Sequence, residues 1–231
     1  MHNVAEHATK HTMTQAYYIT GTDTEIGKTH VSCALIARAA IQELRAAALK
    51  PIAAGVDANG HNEDVLRLMA AANVALPEQT INPWRLAEPL SPHIAARRAG
   101  VEITTPPIIE SFHAACEQTD LLLVEGVGGL YAPLSDILNQ PDLIRELDIP
   151  VILVVGLRLG CLNHALLTTA ALAQEGCVLA GWVGNLIDPS FQAQADNIDT
   201  LRQRISAPCL GILPFDPKAT PADLATTITL P

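Results

Sequence analysis

Along residues 28–44, Cys33, Ile36, Ala37, Ala40, Ile41 and Leu44 recur at helical spacing, while Arg38, Gln42, Glu43 and the adjoining Arg45 fall on the other side. This pattern predicts a helix packed through one face. Short, nearly continuous apolar runs stand at 17–20, 47–52, 121–124, 151–155 and 178–183. A strand with one wet face would alternate apolar and polar residues, so these runs suit strands covered on both faces. Helical segments separate most of them, which implies right-handed crossovers. The predicted architecture is α/β: a single-domain, doubly wound, mainly parallel sheet with helices on both faces. Ligands of such sheets lie outside the carboxyl ends of the strands, which selects residues 20–29, 50–55, 125–129, 156–163 and 185–189. Residues 1–15, rich in His and Thr, read as a flexible tail and 16–231 as one domain, with no internal repeat.

Composition narrows the class. Apolar residues make up 49% of the 231 and aromatic ones only 3%, which favours helices packed on a sheet over an aromatic-rich sandwich. Fourteen Lys and Arg against 24 Asp and Glu leave a net charge of −10 with no basic cluster, so a nucleic-acid partner is not expected. The five cysteines, Cys33, Cys116, Cys161, Cys177 and Cys209, form no C-x-x-C pair and are odd in number. They read as small core residues in a reducing compartment. The longest apolar run, 150–157, is too short to span a bilayer, which takes about 20 residues. The first fifteen residues lack the apolar centre of a secretory signal. A soluble, cytoplasmic protein without a membrane partner is expected.

Candidate chemistry starts at Gly21-Thr22-Asp23-Thr24-Glu25-Ile26-Gly27-Lys28-Thr29, placed between the run at 17–20 and the predicted helix. In a loop of this form, a P-loop, backbone N–H groups surround phosphate oxygens, the lysine adds a point charge and the following hydroxyl can ligate Mg²⁺. The helix start adds about 0.3–1 kcal/mol in exposed settings. Five residues separate Gly21 from Gly27 where the strict pattern has four, so this is a variant P-loop; the bland reading is a glycine turn with an exposed lysine. Glu125 opens Glu125-Gly126-Val127-Gly128-Gly129 at the tip of an apolar run. An acid there suits Mg²⁺, a hard cation, against the reading of a surface carboxylate at a turn. Asp64, within Asn62-Glu63-Asp64, reads equally as part of a helix cap or as a metal ligand. Lys50 precedes Pro51, which favours an extended backbone that either aims the side chain at the site or leaves it exposed. Cys161 and His164 stand three apart without a second ligand pair, so core packing is the better reading. Ser91 and His93 lack a G-x-S-x-G context; His93 lines the site or braces a loop.

Read in order, the P-loop, Lys50-Pro51-Ile52-Ala53-Ala54-Gly55, Ala87-Glu88-Pro89-Leu90-Ser91-Pro92-His93, Val124-Glu125-Gly126-Val127-Gly128-Gly129 and Gly160-Cys161-Leu162-Asn163-His164 closely resemble the dethiobiotin synthetase family over residues 16–216. The resemblance implies a P-loop NTPase-like ligase that uses ATP and Mg²⁺ to join CO₂ to 7,8-diaminopelargonic acid and close the cyclic urea of dethiobiotin. It implies catalytic roles for Lys28 and Lys50. It implies ATP contacts from Glu25, Ile26, Gly27, Lys28, Thr29, His30, Asp64, Glu125, Gly126, Val127, Gly128, Asn185, Leu186, Pro214, Phe215 and Asp216. Thr29, Asp64 and Glu125 match the Mg²⁺ ligands, and Thr22, Lys50, Ala54, Gly160, Cys161 and Asn163 match substrate positions. The family's homodimer, with its site at the subunit interface, is implied as well, so that Asn163 would act in trans. Ala54 replaces a common serine and Leu186 an acidic residue. Two rival readings stand beside this one: a nucleotide-switched partitioning or regulatory ATPase, and another amide- or urea-forming P-loop ligase. Asn185-Leu186-Ile187-Asp188 lacks the lysine of a guanine-reading sequence.

Overall fold

Six strands pair in parallel in the spatial order 46–49, 121–129, 15–21, 151–157, 179–186 and 209–213, and the segments 52–54 and 84–86 form a small parallel pair beside them. The computed structural model describes residues 13–231. In chain order the elements are β1 (Gln15–Gly21), α1 (Lys28–Ile41), β2 (Ala46–Leu49), β3 (Ile52–Ala54), α2 (Glu63–Ala71), α3 (Glu78–Ile81), β4 (Trp84–Leu86), α4 (Pro92–Ala99) and α5 (Pro106–Cys116). They continue as β5 (Leu121–Gly129), α6 (Gln140–Leu147), β6 (Val151–Leu157), α7 (Cys161–Gln174), β7 (Leu179–Leu186), α8 (Gln194–Arg204), β8 (Cys209–Leu213) and α9 (Pro221–Leu224), closed by a 3₁₀ turn at Ala225–Thr227. The chain moves outward from β1 to β2, returns through β5 and crosses to β6, β7 and β8. The order therefore reverses at β1, and the segment after β1 is the P-loop.

Side chains alternate across a strand, and here both faces are buried. Tyr18 joins a core with Leu122, Val124, Ile108 and Leu143, whereas its neighbour Ile19 joins one with Val31, Leu35, Leu123 and Ile152. A third cluster sets Val155, Leu157 and Trp182 against α7 and α8 through Ala165, Ile198 and Leu201. At about 25 cal/mol per Å² of apolar surface, a fully buried Leu or Ile contributes about 1.5–3 kcal/mol, so the doubly covered strands hold the frame on which the loops are mounted.

The run at 47–52 is not one strand. Lys50 donates its N–H to the Ile81 carbonyl (2.9 Å) and Pro51 has no N–H to give, so the chain leaves the main sheet there and re-pairs as β3 with β4. The predicted helix stops at Ile41 because Glu43 takes a left-handed φ of 61° in the turn back to β2. β4 and β8 have no counterpart among the predicted runs. Of the expected tail, residues 1–12 lie outside the described residues. The Thr14 hydroxyl reaches the carbonyls of Cys116 and Thr119 at 2.7 Å each, and Gln15 pairs with Leu121, so the folded unit starts before residue 16.

Candidate active site

The carboxyl ends of β1, β2, β5 and β7, together with the first turn of α2, bring the P-loop, Lys50, Glu125, Asn185 and Asp64 together. Glu25 (φ 57°) and Gly27 (φ 84°) give the P-loop its left-handed turns. At Gly27 a side chain would also collide with the amide of Asn185, so glycine is required on both counts. Gly27 precedes a helix of fourteen residues with no side-chain cap, leaving its first N–H groups for an anion. Lys28 curls back to donate to the Asp23 carbonyl at 3.0 Å. Burial and the nearby Lys50 pull the Lys28 ammonium down to about 8, against the opposing pull of Glu125, Asp64 and Asp23.

Glu125 is wholly buried and accepts three hydrogen bonds. One carboxylate oxygen accepts from Thr29 Oγ1 and from Lys50 Nζ, both at 2.7 Å, and the other from Ser32 Oγ at 2.7 Å. Lys50 Nζ also lies 3.3 Å from Asp64 Oδ2 and 3.3 Å from the Gly126 carbonyl. Burial alone would lower the Lys50 pKa; Glu125 and Asp64 outweigh it and hold the ammonium above its ordinary range. Burial pushes Asp64 up, but Lys50 and the Thr29 hydroxyl pull it further down, so it stays ionised. Asn62, not Asp64, caps α2 by accepting from the Val65 N–H, which frees the Asp64 carboxylate to face the cluster. Two carboxylates and a hydroxyl thus converge as hard oxygen donors, a set suited to Mg²⁺ with waters completing its shell.

Around this centre, Asn62 Nδ2 donates to the Gly55 carbonyl at 2.8 Å and ties the end of β3 to α2. Beside Ala54, which is half-buried, a cleft of about 610 Å³ opens between Gly55, Asp57, Asn62, Asp64 and Pro89. Thr22 Oγ1 accepts from the Gly156 N–H at 3.4 Å. Gly160 starts α7 with φ 94°, Cys161 is buried with its thiol pushed up by burial, and Asn163 is exposed. Among the described residues no three His, Cys, Asp or Glu side chains gather as a metal site; Cys161 is buried and His164 half-buried on α7. His93 lines a separate cavity of about 270 Å³ with Ser135 and Asp136.

Asn185 donates to the Ile26 carbonyl at 2.8 Å and stands opposite Leu213 in the sheet. This brings Leu186 and the exposed Pro214, Phe215 and Asp216 to one edge of the P-loop. His30 is half-buried in the first turn of α1, its pKa lowered by burial and by Arg67. Three participants escaped the sequence reading. Ser32 sits three residues after Thr29, hence on the same helix face, a signal that was there to use. Arg158 binds Asp23 at 2.6 Å from the loop after β6. Gln140 lies outside every strand-end segment.

A nucleotide-handling loop at the switch point of a parallel sheet, with a buried lysine held between two acids, defines a P-loop α/β protein of the phosphoryl-transfer class. A model of the AAA domain family matches residues 15–223. The ATP-dependent dethiobiotin synthetase of Ralstonia nicotianae is 52% identical, over 87% of this chain and 89% of that protein. Those of Aromatoleum aromaticum (46%) and Xanthomonas oryzae (45%) each match over 94% of this chain and 98% of their own length. The chain belongs to the ATP-dependent dethiobiotin synthetase family. Among solved structures, a ParA family ATPase from Chlorobium tepidum superposes with TM-score 0.56 at 13% identity, over 93% of this chain and 90% of that one. The signal recognition particle receptor FtsY from Elizabethkingia anophelis gives 0.54 at 13%, over 92% and 64%. Those two likenesses concern the fold alone.

Proposed function

We propose that this chain carries out ATP-dependent dethiobiotin synthesis in biotin biosynthesis, joining CO₂ to 7,8-diaminopelargonic acid. The observation that carries the reading furthest is Lys50: an ammonium held charged in the protein interior between Glu125 and Asp64, one loop away from Lys28 and Thr29. The cleft at the end of β3, which Asp64 lines, leaves room for a small substrate next to that ammonium.

One amine of the diamine takes up CO₂ as a carbamate. A carbamate oxygen attacks the γ-phosphorus of ATP, the bond to the bridging oxygen breaks, and ADP leaves with that electron pair. The second amine then attacks the carbonyl carbon of the carbamic-phosphoric anhydride, phosphate departs, and the urea ring closes. The protein's part is orientation and charge compensation. Lys28 and the free N–H groups at the start of α1 bind phosphate oxygens, and Lys50 faces the charge that builds on carbamate and transferring phosphoryl. Thr29, Asp64 and Glu125 would hold Mg²⁺, whose chemistry is to neutralise phosphate oxygens. Glu25, Ile26, His30 and the 126–128 backbone surround the phosphates, while Asn185, Leu186 and 214–216 border the base. Thr22 and the backbone at Ala54 border the diamine. Among the described residues no helix is long and apolar enough to cross a membrane and the five cysteines are free; the cytoplasmic setting belongs to the same reading as the biosynthetic activity.

The test of the reading is direct: purified protein with ATP, Mg²⁺, bicarbonate and the diamine yields dethiobiotin and ADP in equal amounts. Nucleotide hydrolysis without dethiobiotin, stimulated by a partner protein, would place the chain with the switch ATPases instead.

A homodimer is part of the same reading, with the α7 start, Gly160, Cys161 and exposed Asn163, offered to the substrate carboxylate of the neighbouring subunit. Lys50→Ala and Asn163→Ala chains, each weak alone, should then recover activity when mixed, because a hybrid dimer contains one site with both residues intact. Absence of recovery in heterodimers verified by mass would put Asn163 in its own subunit's site or outside it.

A further inference from the structure

Gln140, the first residue of α6, is fully buried and has every polar atom committed. Its Nε2 donates to the carbonyls of Val127 (2.8 Å) and Gly129 (2.5 Å), with that of Leu130 at 3.4 Å. Its Oε1 accepts from the Val127 N–H and the Tyr18 hydroxyl, both at 3.0 Å. A primary amide has two N–H donors and one acceptor oxygen. The Val127 N–H and the Tyr18 hydroxyl demand the oxygen on one side and the carbonyls demand the NH₂ on the other, so the orientation is dictated by the partners. Four of the five contacts belong to residues 127–130, the continuation of the strand that carries Glu125.

A loop that receives phosphate must present N–H groups and turn its carbonyls away, since a carbonyl oxygen pointed at a phosphate oxygen repels it. Here the Gly126 carbonyl is taken by Lys50, and those of Val127 and Gly129 by Gln140, with Ala132 N–H also on Gly129 at 2.9 Å. Between them Gly128 adopts φ 60°, so close to the P-loop that a Cβ would sit 3.1 Å from Thr24 Oγ1. We propose that Gln140 is a positioning residue for nucleotide binding: by holding the Val127 and Gly129 carbonyls inward it fixes the Gly128 peptide against the P-loop in the orientation that receives phosphate. Tyr18 acts through it, by fixing the amide. The inference rests on the reading that the loop after Glu125 holds phosphates.

The experiment measures the affinity of a non-hydrolysable ATP analogue, well below each variant's Tm. Gln140→Leu, which keeps bulk and removes all polar partners, is expected to weaken binding about tenfold. Ile144→Ala, a core truncation one turn along the same helix, is expected to lower Tm comparably and leave affinity unchanged. Tyr18→Phe should weaken binding about threefold in the parent and not at all on the Gln140→Leu background. If Gln140→Leu does not fold, Gln140→Met, which keeps the length of the side chain and removes both the donors and the acceptor, carries the same expectation. Binding within about twofold of the parent in both Gln140 variants, or equal weakening by Ile144→Ala, overturns the proposal. Gly128→Ala separates the two levels. If it weakens binding while the Gln140 variants do not, the loop is the phosphate site and Gln140 is not its support; if none of them matters, the phosphate reading of the loop fails too.

Discussion

Lys50→Ala should abolish most dethiobiotin formation while leaving nucleotide binding to Lys28 and the α1 N-terminus. Removing one preorganised group that stabilises transition-state charge costs about 10²–10³ in turnover, and a fall of that size in single-turnover rate is expected here, with analogue affinity by calorimetry nearly unchanged. An equal loss of both would assign Lys50 to ground-state phosphate binding. The substitution also leaves Glu125 buried with only the hydroxyls of Thr29 and Ser32. Breaking a buried pair from one side costs about 3–5 kcal/mol; the two remaining donors put this case near the lower end. In a chain of this size that is a Tm drop of about 6–12 °C, so the kinetics belong at a temperature where the variant is fully folded.

The dependence of Lys50 on a partner 75 residues away in sequence marks the limit of what the chain alone makes legible. Continuous apolar runs announced β1, β5, β6 and β7, because strands covered on both faces have nothing polar to interrupt them. They could not announce β4, three residues long with an exposed Arg85, or β8, which is only partly buried. The motifs after the strands were readable because each is local: a turn, a lysine, a helix start. Gln140 carries no such local mark, since its meaning lies in hydrogen bonds to other segments, whereas Ser32 shares the helix face of Thr29 and only its acceptor, Glu125, is distant in sequence. For Asp64 the structure separates what the sequence left joined: Asn62 caps α2, and Asp64 faces Lys50. Asn185 shows the same effect, since its amide supports the P-loop at Ile26 as well as standing at the edge where a base would lie.

Glu125→Gln sets the metal reading against the framework reading. The amide keeps the shape of the side chain and one oxygen that can still accept from Thr29 and Lys50, but Ser32 must reverse its hydrogen bond and Lys50 is left with Asp64, a half-exposed partner at 3.3 Å, as its one counter-ion among these groups. If Glu125 is a Mg²⁺ ligand, turnover at fixed Mg²⁺ falls about 10²–10³-fold, the Mg²⁺ concentration for half-maximal rate rises, and excess Mg²⁺ recovers part of the loss. Lys50→Ala should not move that half-saturation point upward, because it takes away a cation competing for the same oxygens. Stability responds differently again. Glu125→Gln leaves a buried ammonium without its main counter-ion and Lys50→Ala leaves a buried carboxylate without its own, so each single change is costly, whereas the double variant buries neither unpaired charge. Urea unfolding should therefore show the double variant losing less than the two singles together, with a coupling of about 0.5–3 kcal/mol. Additive losses, together with an unmoved Mg²⁺ dependence in Glu125→Gln, would make the buried carboxylate a structural anchor for α1 and leave the metal to Thr29 and Asp64.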